Sequence, residues 1–153
     1  MNTAPQLKHF AELKVKVDAP QEIGHAQHGQ RRVIPISGGS VEGHGWSGNV
    51  LPGGADYQLI LTPRMAGLDA HYVLETTEGE LIYVHNRAIR VAEPEITAKL
   101  IRGEPVDPAE IYFRCSPTFE TESPSMKWIT ERMFIGTGVR RPDLVEMHFY
   151  EVL

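Results

Sequence analysis

Residues 43–57 read GHGWSGNVLPGGADY, and the fold turns on what those glycines do. The first six residues spell G-x-G-x-x-G, the pattern of a dinucleotide-binding loop. That loop needs a strand before its glycines and a helix after them, whose N-terminus holds the pyrophosphate. Here Gly48 leads into NVLPGG, with Pro52 in place of a helical start, so the segment does not read as a nucleotide loop. GWSGN also approaches the G-x-S-x-G nucleophile elbow. Asn49 stands where the second glycine belongs, and no strand-to-helix turn follows Ser47. The segment reads instead as a glycine-rich strand that bends around Trp46, then a Gly53-Gly54 turn with positive φ that delivers Asp56 to the start of the next strand.

Outward from this stretch, apolar residues recur with a period near two. In AELKVKV (11–17), Ala11, Leu13, Val15 and Val17 alternate with Glu12, Lys14 and Lys16, which buries one face and wets the other. Similar runs occupy 31–36, the flanks of Trp46, 57–62, 70–77, 81–91, 111–120, 132–140 and 144–152, and Glu78-Gly79 forms a short hairpin connection between two of them. Helical signals are confined to two places. PEITAKLIRG (94–103) has Pro94 at a first helical position, Ile96 and Leu100 on one face and Gly103 as a cap; SPSMKW (123–128) offers Ser123 as N-cap for a turn or two. About nine strands without β-α-β alternation imply an all-β, single-domain antiparallel β-barrel over residues 1–153 with one or two short helices. A β-sandwich is the alternative; closure favours the barrel because it removes exposed edges.

Composition narrows the function classes. With 153 residues, 41% of them hydrophobic, the chain can bury a single core without a covalent staple. The net charge of −5 repels nucleic acid and anionic lipid, and there is no apolar leader or membrane-length apolar run. One cysteine, Cys115, excludes an internal disulfide and a cysteine-based zinc site. The chain reads as soluble and cytoplasmic. Of seven histidines, His25 and His28 lie three apart in a polar loop, His44 and His148 lie in strand-like runs, and no H-x-H pair or HExxH helix occurs. No metal or cofactor is therefore expected, unless ligands converge from distant positions on a barrel.

Two strands carry polar groups in β-type sequence. In IYFRCSPTFE (111–120), Ile111, Phe113, Cys115 and Phe119 alternate with a polar set containing Arg114 and Glu120, which faces either solvent or a barrel lumen. In LIYVHNRAIRV (81–91), either His85 or Asn86 points inward. A buried arginine in such a lumen needs a carboxylate, and Asp56, Asp69 and Glu120 are the candidates.

The ordered motifs LPGGADY (51–57), LDAHYVLETTEGELIYVHNRAIR (68–90), YFRCSPTFET (112–121), MKW (126–128) and FYEV (149–152) resemble the domain-of-unknown-function family 3237, also called uncharacterised protein family 0311. The resemblance covers nearly the whole chain and implies a compact β-barrel without a settled general activity. It carries over Gly53, Gly54, Asp56, Asp69, Tyr72, Asn86, Arg114, Phe119 and Trp128 as recurring positions. His71 departs from the pattern, where relatives commonly have arginine, as does Ala88, where they commonly have glycine.

These readings lead to a small-molecule-binding barrel. The favoured activity is cofactor-free acid-base chemistry of the lyase, hydratase, isomerase or cyclase type on a small aromatic or polyketide-like compound. The expected catalytic residues are Asp56 or Glu120 as base, Tyr72 or His85 as acid, and Arg114 against developing oxyanion charge. Trp46, His85, Asn86, Phe119 and Trp128 are the expected ligand contacts. A non-catalytic ligand-binding module or an interaction protein is the alternative. The expected partner is a small molecule, with no nucleic acid and no membrane; a homodimer is left open, because no segment specifies an interface.

Overall fold

Alternation in the sequence becomes alternation in burial. A computed structural model describes residues 3–153. In β1 (Leu7–Val17), Ala11, Leu13 and Val15 are buried, while Lys14 and Lys16 face out. In β8 (Tyr112–Glu120) the rule holds at every residue: Phe113, Cys115, Pro117 and Phe119 point inward, and Tyr112, Arg114, Ser116, Thr118 and Glu120 are exposed. The other strands are β2 (Gln21–Ala26), β3 (Gly29–Gly43), β4 (Ser47–Val50), β5 (Ala55–Ile60), β6 (Met65–Thr76), β7 (Leu81–Val91), β9 (Phe134–Arg140) and β10 (Leu144–Val152).

Every strand pairing is antiparallel, and the ring runs β1-β10-β9-β8-β7-β6-β4-β3, with β3 returning to β1. Eight strands therefore close a barrel, which leaves β1 and β3 paired rather than exposed as edges. β5 occupies the same gap between β3 and β6 as β4, pairing farther along both neighbours. The Leu51–Gly54 turn thus interrupts one strand position. β2 lies alongside the first half of β3.

Among the described residues there are ten strands, where sequence periodicity indicates about nine. The additional strand is β2, which contains His25 in a stretch that reads as a polar loop. It is exposed along nearly its whole length, so no buried face imposes alternation. β6 also begins earlier than its apolar run, because Ala66, Gly67 and Ala70 give a weak hydrophobic pattern.

The first helix, α1 (Pro94–Ile101), starts on Pro94, buries Ile96, Thr97 and Leu100, and is followed by Gly103 at φ +77°. The second helical signal forms a 3-10 helix over Lys127–Glu131, one turn later than a Ser123 cap implies. The Ser123 hydroxyl is engaged with Ser125 at 3.2 Å, and its backbone N–H donates to Thr121 Oγ1. No helix among the described residues is long and apolar enough to cross a membrane.

Two glycines of the decisive stretch are set by close approach. The Trp46 indole lies where a Cβ on Gly43 would be, with Nε1 only 2.0 Å from that position. Gly54 packs its backbone on β6, so that a Cβ would stand 2.4 Å from the His71 carbonyl oxygen and 2.6 Å from Tyr72 Cβ. Gly53 supplies the positive φ of the turn, at +110°. The glycines serve packing and a turn, with no helix N-terminus following them.

The barrel interior divides into two halves. At one end Phe10, Phe119, Phe134 and Phe149 interlock, with Phe119 and Phe134 edge-to-face at 5.1 Å between ring centroids. At the other end the lumen is lined by smaller and polar side chains, and α1 is tied to that end by Arg32 Nη2, which donates to the Ile101 carbonyl at 3.2 Å.

Gly54→Ala is expected to cost about 1–3 kcal/mol, since neither the His71 carbonyl nor the β6 backbone can yield without disturbing the sheet. Urea denaturation measures this; an unchanged midpoint would mean that β5 and β6 are not packed this closely.

Candidate functional site

One lumen row explains why a cavity forms. Cross-strand register places Ile34, Asp56, Ala70, Asn86 and Pro117 side by side on β3, β5, β6, β7 and β8. Ala70 is too short to fill the space between the two polar side chains, and Ala88 repeats the deficit two residues along β7. The resulting cavity has a volume of about 50 Å³ and runs to the strand ends, where Arg90, Arg140 and Val145 line it. Aliphatic walls from Val15, Ile36, Leu68 and Met147 surround its polar groups.

Asp56 is the one carboxylate in this lining. Its Oδ1 accepts the Asp69 backbone N–H at 3.1 Å, and its Oδ2 accepts Gln58 Nε2 at 2.9 Å. Gln58 is itself fixed: its Oε1 accepts from Arg32 Nη1 at 3.2 Å, while Arg32 Nε donates to Glu22 at 2.8 Å. Burial raises the Asp56 pKa above the ordinary aspartate value, overcoming the opposing pull of the Gln58 hydrogen bond, the Arg90 charge and the Asp69 N–H. Arg90 shows the converse: burial lowers its guanidinium to about 10, with Asp56 acting against the shift, and it remains a cation at neutral pH.

Among the described residues, three buried side-chain atoms have no hydrogen-bond partner in the protein: Tyr72 Oη, Asn86 Oδ1 and Arg90 Nη2. Their residues are only 3%, 4% and 4% exposed, and all three line the cavity that contains Asp56. An unsatisfied buried polar group costs about 1–3 kcal/mol, so three around one cavity form an arrangement that a core built for stability alone avoids. Burial, followed by the neighbouring Cys115 and Asp56, raises the Tyr72 phenol so that it stays protonated and can donate. The Cys115 thiol is likewise pushed up to about 12 by burial and is no thiolate nucleophile at neutral pH.

The residues singled out from sequence fall into four places. Asp56, Tyr72 and Asn86 meet at the cavity. Phe119 belongs to the aromatic half of the core, packed on Phe10 and Phe134. Trp46 and Trp128 both contact Phe10, at 5.3 and 5.6 Å between centroids, and line a separate cleft of about 400 Å³ with His9, His44, Glu78 and Glu80 at the aromatic end. His85, Arg114 and Glu120 lie on the outer wall. Arg114 donates to the Phe113 carbonyl at 2.9 Å and lies over the Tyr112 ring, and His85 bonds Asp69 at 2.6 Å. Alternation sets this division: once Phe113 and Cys115 point inward, Arg114 and Glu120 cannot, and Asn86 rather than His85 turns to the lumen. His44 and His148 both bond His9, at 2.9 and 3.0 Å, and burial together with these two neighbours lowers the His9 pKa.

Arg90, Gln58 and Arg140 are the polar cavity residues outside the candidate set read from sequence. Arg90 was accessible in principle, because it continues the inward set Ile82, Val84, Asn86 and Ala88 along β7. Gln58 likewise follows Asp56 by two on β5.

The chain belongs to the family described as Protein of unknown function (DUF3237), matching it over residues 5–152. It is 40% identical over 153 residues to a UPF0311 protein of Rhodopseudomonas palustris, covering the whole of both chains. The crystal structure of a conserved protein of unknown function from that organism superposes with a TM-score of 0.93 over 100% of both chains, at 40% identity. A protein of Clostridium acetobutylicum superposes with a TM-score of 0.91 at 34% identity, again over 100% of both chains. The same fold recurs in an enzyme from Penicillium herquei at 16% identity and a TM-score of 0.74, covering 100% of this chain and 98% of that one.

Because the Tyr72 hydroxyl has no partner in the protein, Tyr72→Phe is expected to leave stability unchanged or to raise it by about 1 kcal/mol. A loss of that size in denaturant titration would mean that the hydroxyl is satisfied within the fold.

Proposed function

We propose that the barrel lumen binds the reactive head group of a small organic acid, β-keto compound or phenol, and moves a proton on it with Asp56 as general base. The observation that carries this reading is that the three residues with an unpartnered buried polar atom all line the cavity that holds the Asp56 carboxyl. Arg90 and Arg140 outnumber Asp56 in the cavity lining, so the site favours a ligand with an anionic or enolisable oxygen. A raised carboxyl pKa brings the base closer to its working pH, and an oxygen seated between Arg90 and Tyr72 would be stabilised as its negative charge grows.

The volume sets the scale of what enters. About 50 Å³ suits a carbonyl or carboxylate group rather than a whole fused ring system, so the remainder of a polyketide-like substrate would extend past the strand ends near Arg140. The chemistry that fits is enolisation followed by isomerisation, elimination or ring closure within one molecule, with Asp56 taking the proton from carbon and Tyr72 serving the oxygen. In this reading the tasks fall to Asp56, Tyr72 and Arg90, which line the cavity, and not to Glu120, His85 and Arg114, which lie on the outer wall.

The test is a panel of β-keto acids and phenolic carboxylates, assayed for binding by thermal shift and for turnover by proton-exchange NMR. Asp56→Asn is expected to bind while losing about 10²–10⁴-fold in exchange rate. Arg90→Met is expected to weaken binding about tenfold or more, while Arg114→Met on the outer wall changes neither. Binding in the wild type with no proton exchange on any compound would favour a ligand-binding module; exchange undiminished in Asp56→Asn would remove Asp56 as base.

A further inference from the structure

The outer wall carries a second cluster, which no spacing in the sequence encodes. His71 on β6 and His85 on β7 are direct cross-strand partners, and Asp69 stands two residues before His71 on the same face. The two imidazoles stack at 4.2 Å between centroids with 16° between their planes. Both turn Nε2 to the same carboxylate oxygen: His85 lies 2.6 Å and His71 3.2 Å from Asp69 Oδ1. One ligating atom from each residue falls within 4.8 Å of the others.

We propose that Asp69, His71 and His85 form a binding site for a divalent first-row transition metal, of the zinc, cobalt or nickel class. The spacing of both Nε2 atoms from Asp69 Oδ1 is close to what such an ion requires, while the stacked rings have to turn apart so that the ion lies in the plane of each imidazole. With bonds of about 2.0–2.1 Å, neighbouring ligand atoms of a tetrahedral ion stand about 3.3 Å apart. The His71 pair already has that spacing, and the His85 pair reaches it by a movement of less than about 1 Å. The donor set selects the metal: two imidazoles and one carboxylate suit zinc, cobalt and nickel, whereas magnesium and calcium require mostly oxygen.

Two features separate this cluster from a chance surface contact. The His71 Nδ1, remote from the proposed ion, is 2.6 Å from Tyr83 Oη, so the ring is held with Nε2 directed at the site. Such a second partner is what fixes the tautomer and orientation of a metal-binding imidazole. Arg87 is the cross-strand partner of Asp69, yet among the described residues it makes no ion pair with it. Among the described residues, the ion-pair contacts of the Asp69 carboxylate are with the two imidazoles. The histidines are about one-third exposed and the aspartate half-exposed, which leaves the remaining coordination positions open to water or an added ligand.

Asp69 also joins this site to the lumen. Its side chain faces the histidines, while its backbone N–H holds Asp56 Oδ1 at 3.1 Å. A metal bound here would staple β6 to β7 at the residue that positions the buried carboxyl.

The experiment uses untagged protein freed of metal with a chelator, with Co²⁺ and Zn²⁺ as probes. Isothermal titration is expected to give one ion per chain, with a visible Co²⁺ absorption band and a rise in melting temperature. Asp69→Asn, His71→Gln and His85→Gln should each weaken binding about 100-fold, and Tyr83→Phe about tenfold, with the metal-free variants melting cooperatively. His9→Gln, in the separate histidine cluster, should leave affinity unchanged. Absence of stoichiometric binding, or equal binding by the wild type and the three ligand variants, overturns the proposal. Loss of binding in His9→Gln but not in His71→Gln also overturns it by moving the metal to the other cluster.

Discussion

The polar half of the barrel depends on one carboxyl group turned inward. A lone ionised carboxylate in an apolar lumen is costly, so the surrounding structure has to supply its partners. The Asp69 N–H and the Gln58 amide fix its two oxygens, and Gln58 is fixed in turn by Arg32, which also ties α1 to the barrel end. Arg90 supplies opposite charge within the same cavity. These contacts moderate the effect of burial without cancelling it, and the proton is held more tightly than on a free aspartate.

The aromatic half makes this arrangement tolerable. Phe10, Phe119, Phe134 and Phe149 close one end with tightly interlocked rings, so stability is concentrated where no polar group needs a partner. Small residues then open the opposite end. Ala70 and Ala88 on the lumen face leave the space lined by Tyr72, Asn86 and Arg90, each of which carries an unpartnered polar atom. The break between β4 and β5 belongs to the same design, because the Leu51–Gly54 turn sets Asp56 at the start of the strand that lines this space.

Much of the fold is legible in the sequence because one wet face and one dry face impose a period of two. This identifies the runs at 11–17, 81–91 and 111–120, and the context around Gly43 and Gly48 rules out a nucleotide loop. β2 escapes because it is exposed on both faces, and the beginning of β6 because its small residues carry little hydrophobic contrast. The site is only partly legible for a related reason. Alternation divides a strand into two faces without saying which is inside when both carry polar residues. In β7 the inward set contains Asn86 and Arg90 and the outward set His85 and Arg87, so charge alone does not distinguish lumen from solvent. The Asp69, His71 and His85 cluster is further removed from sequence, since it exists only through the register of β6 on β7.

Burial in the lumen raises the proton affinity of the Asp56 carboxyl. Carboxyl ¹³C NMR of aspartate-labelled protein, with the Asp56 resonance assigned from Asp56→Asn, measures this directly. The expected titration midpoint lies above the ordinary aspartate value of about 3.9. A midpoint at or below that value would contradict it, because the carboxyl would then be solvated or fully neutralised by its partners and would have no special capacity to exchange a proton with a ligand.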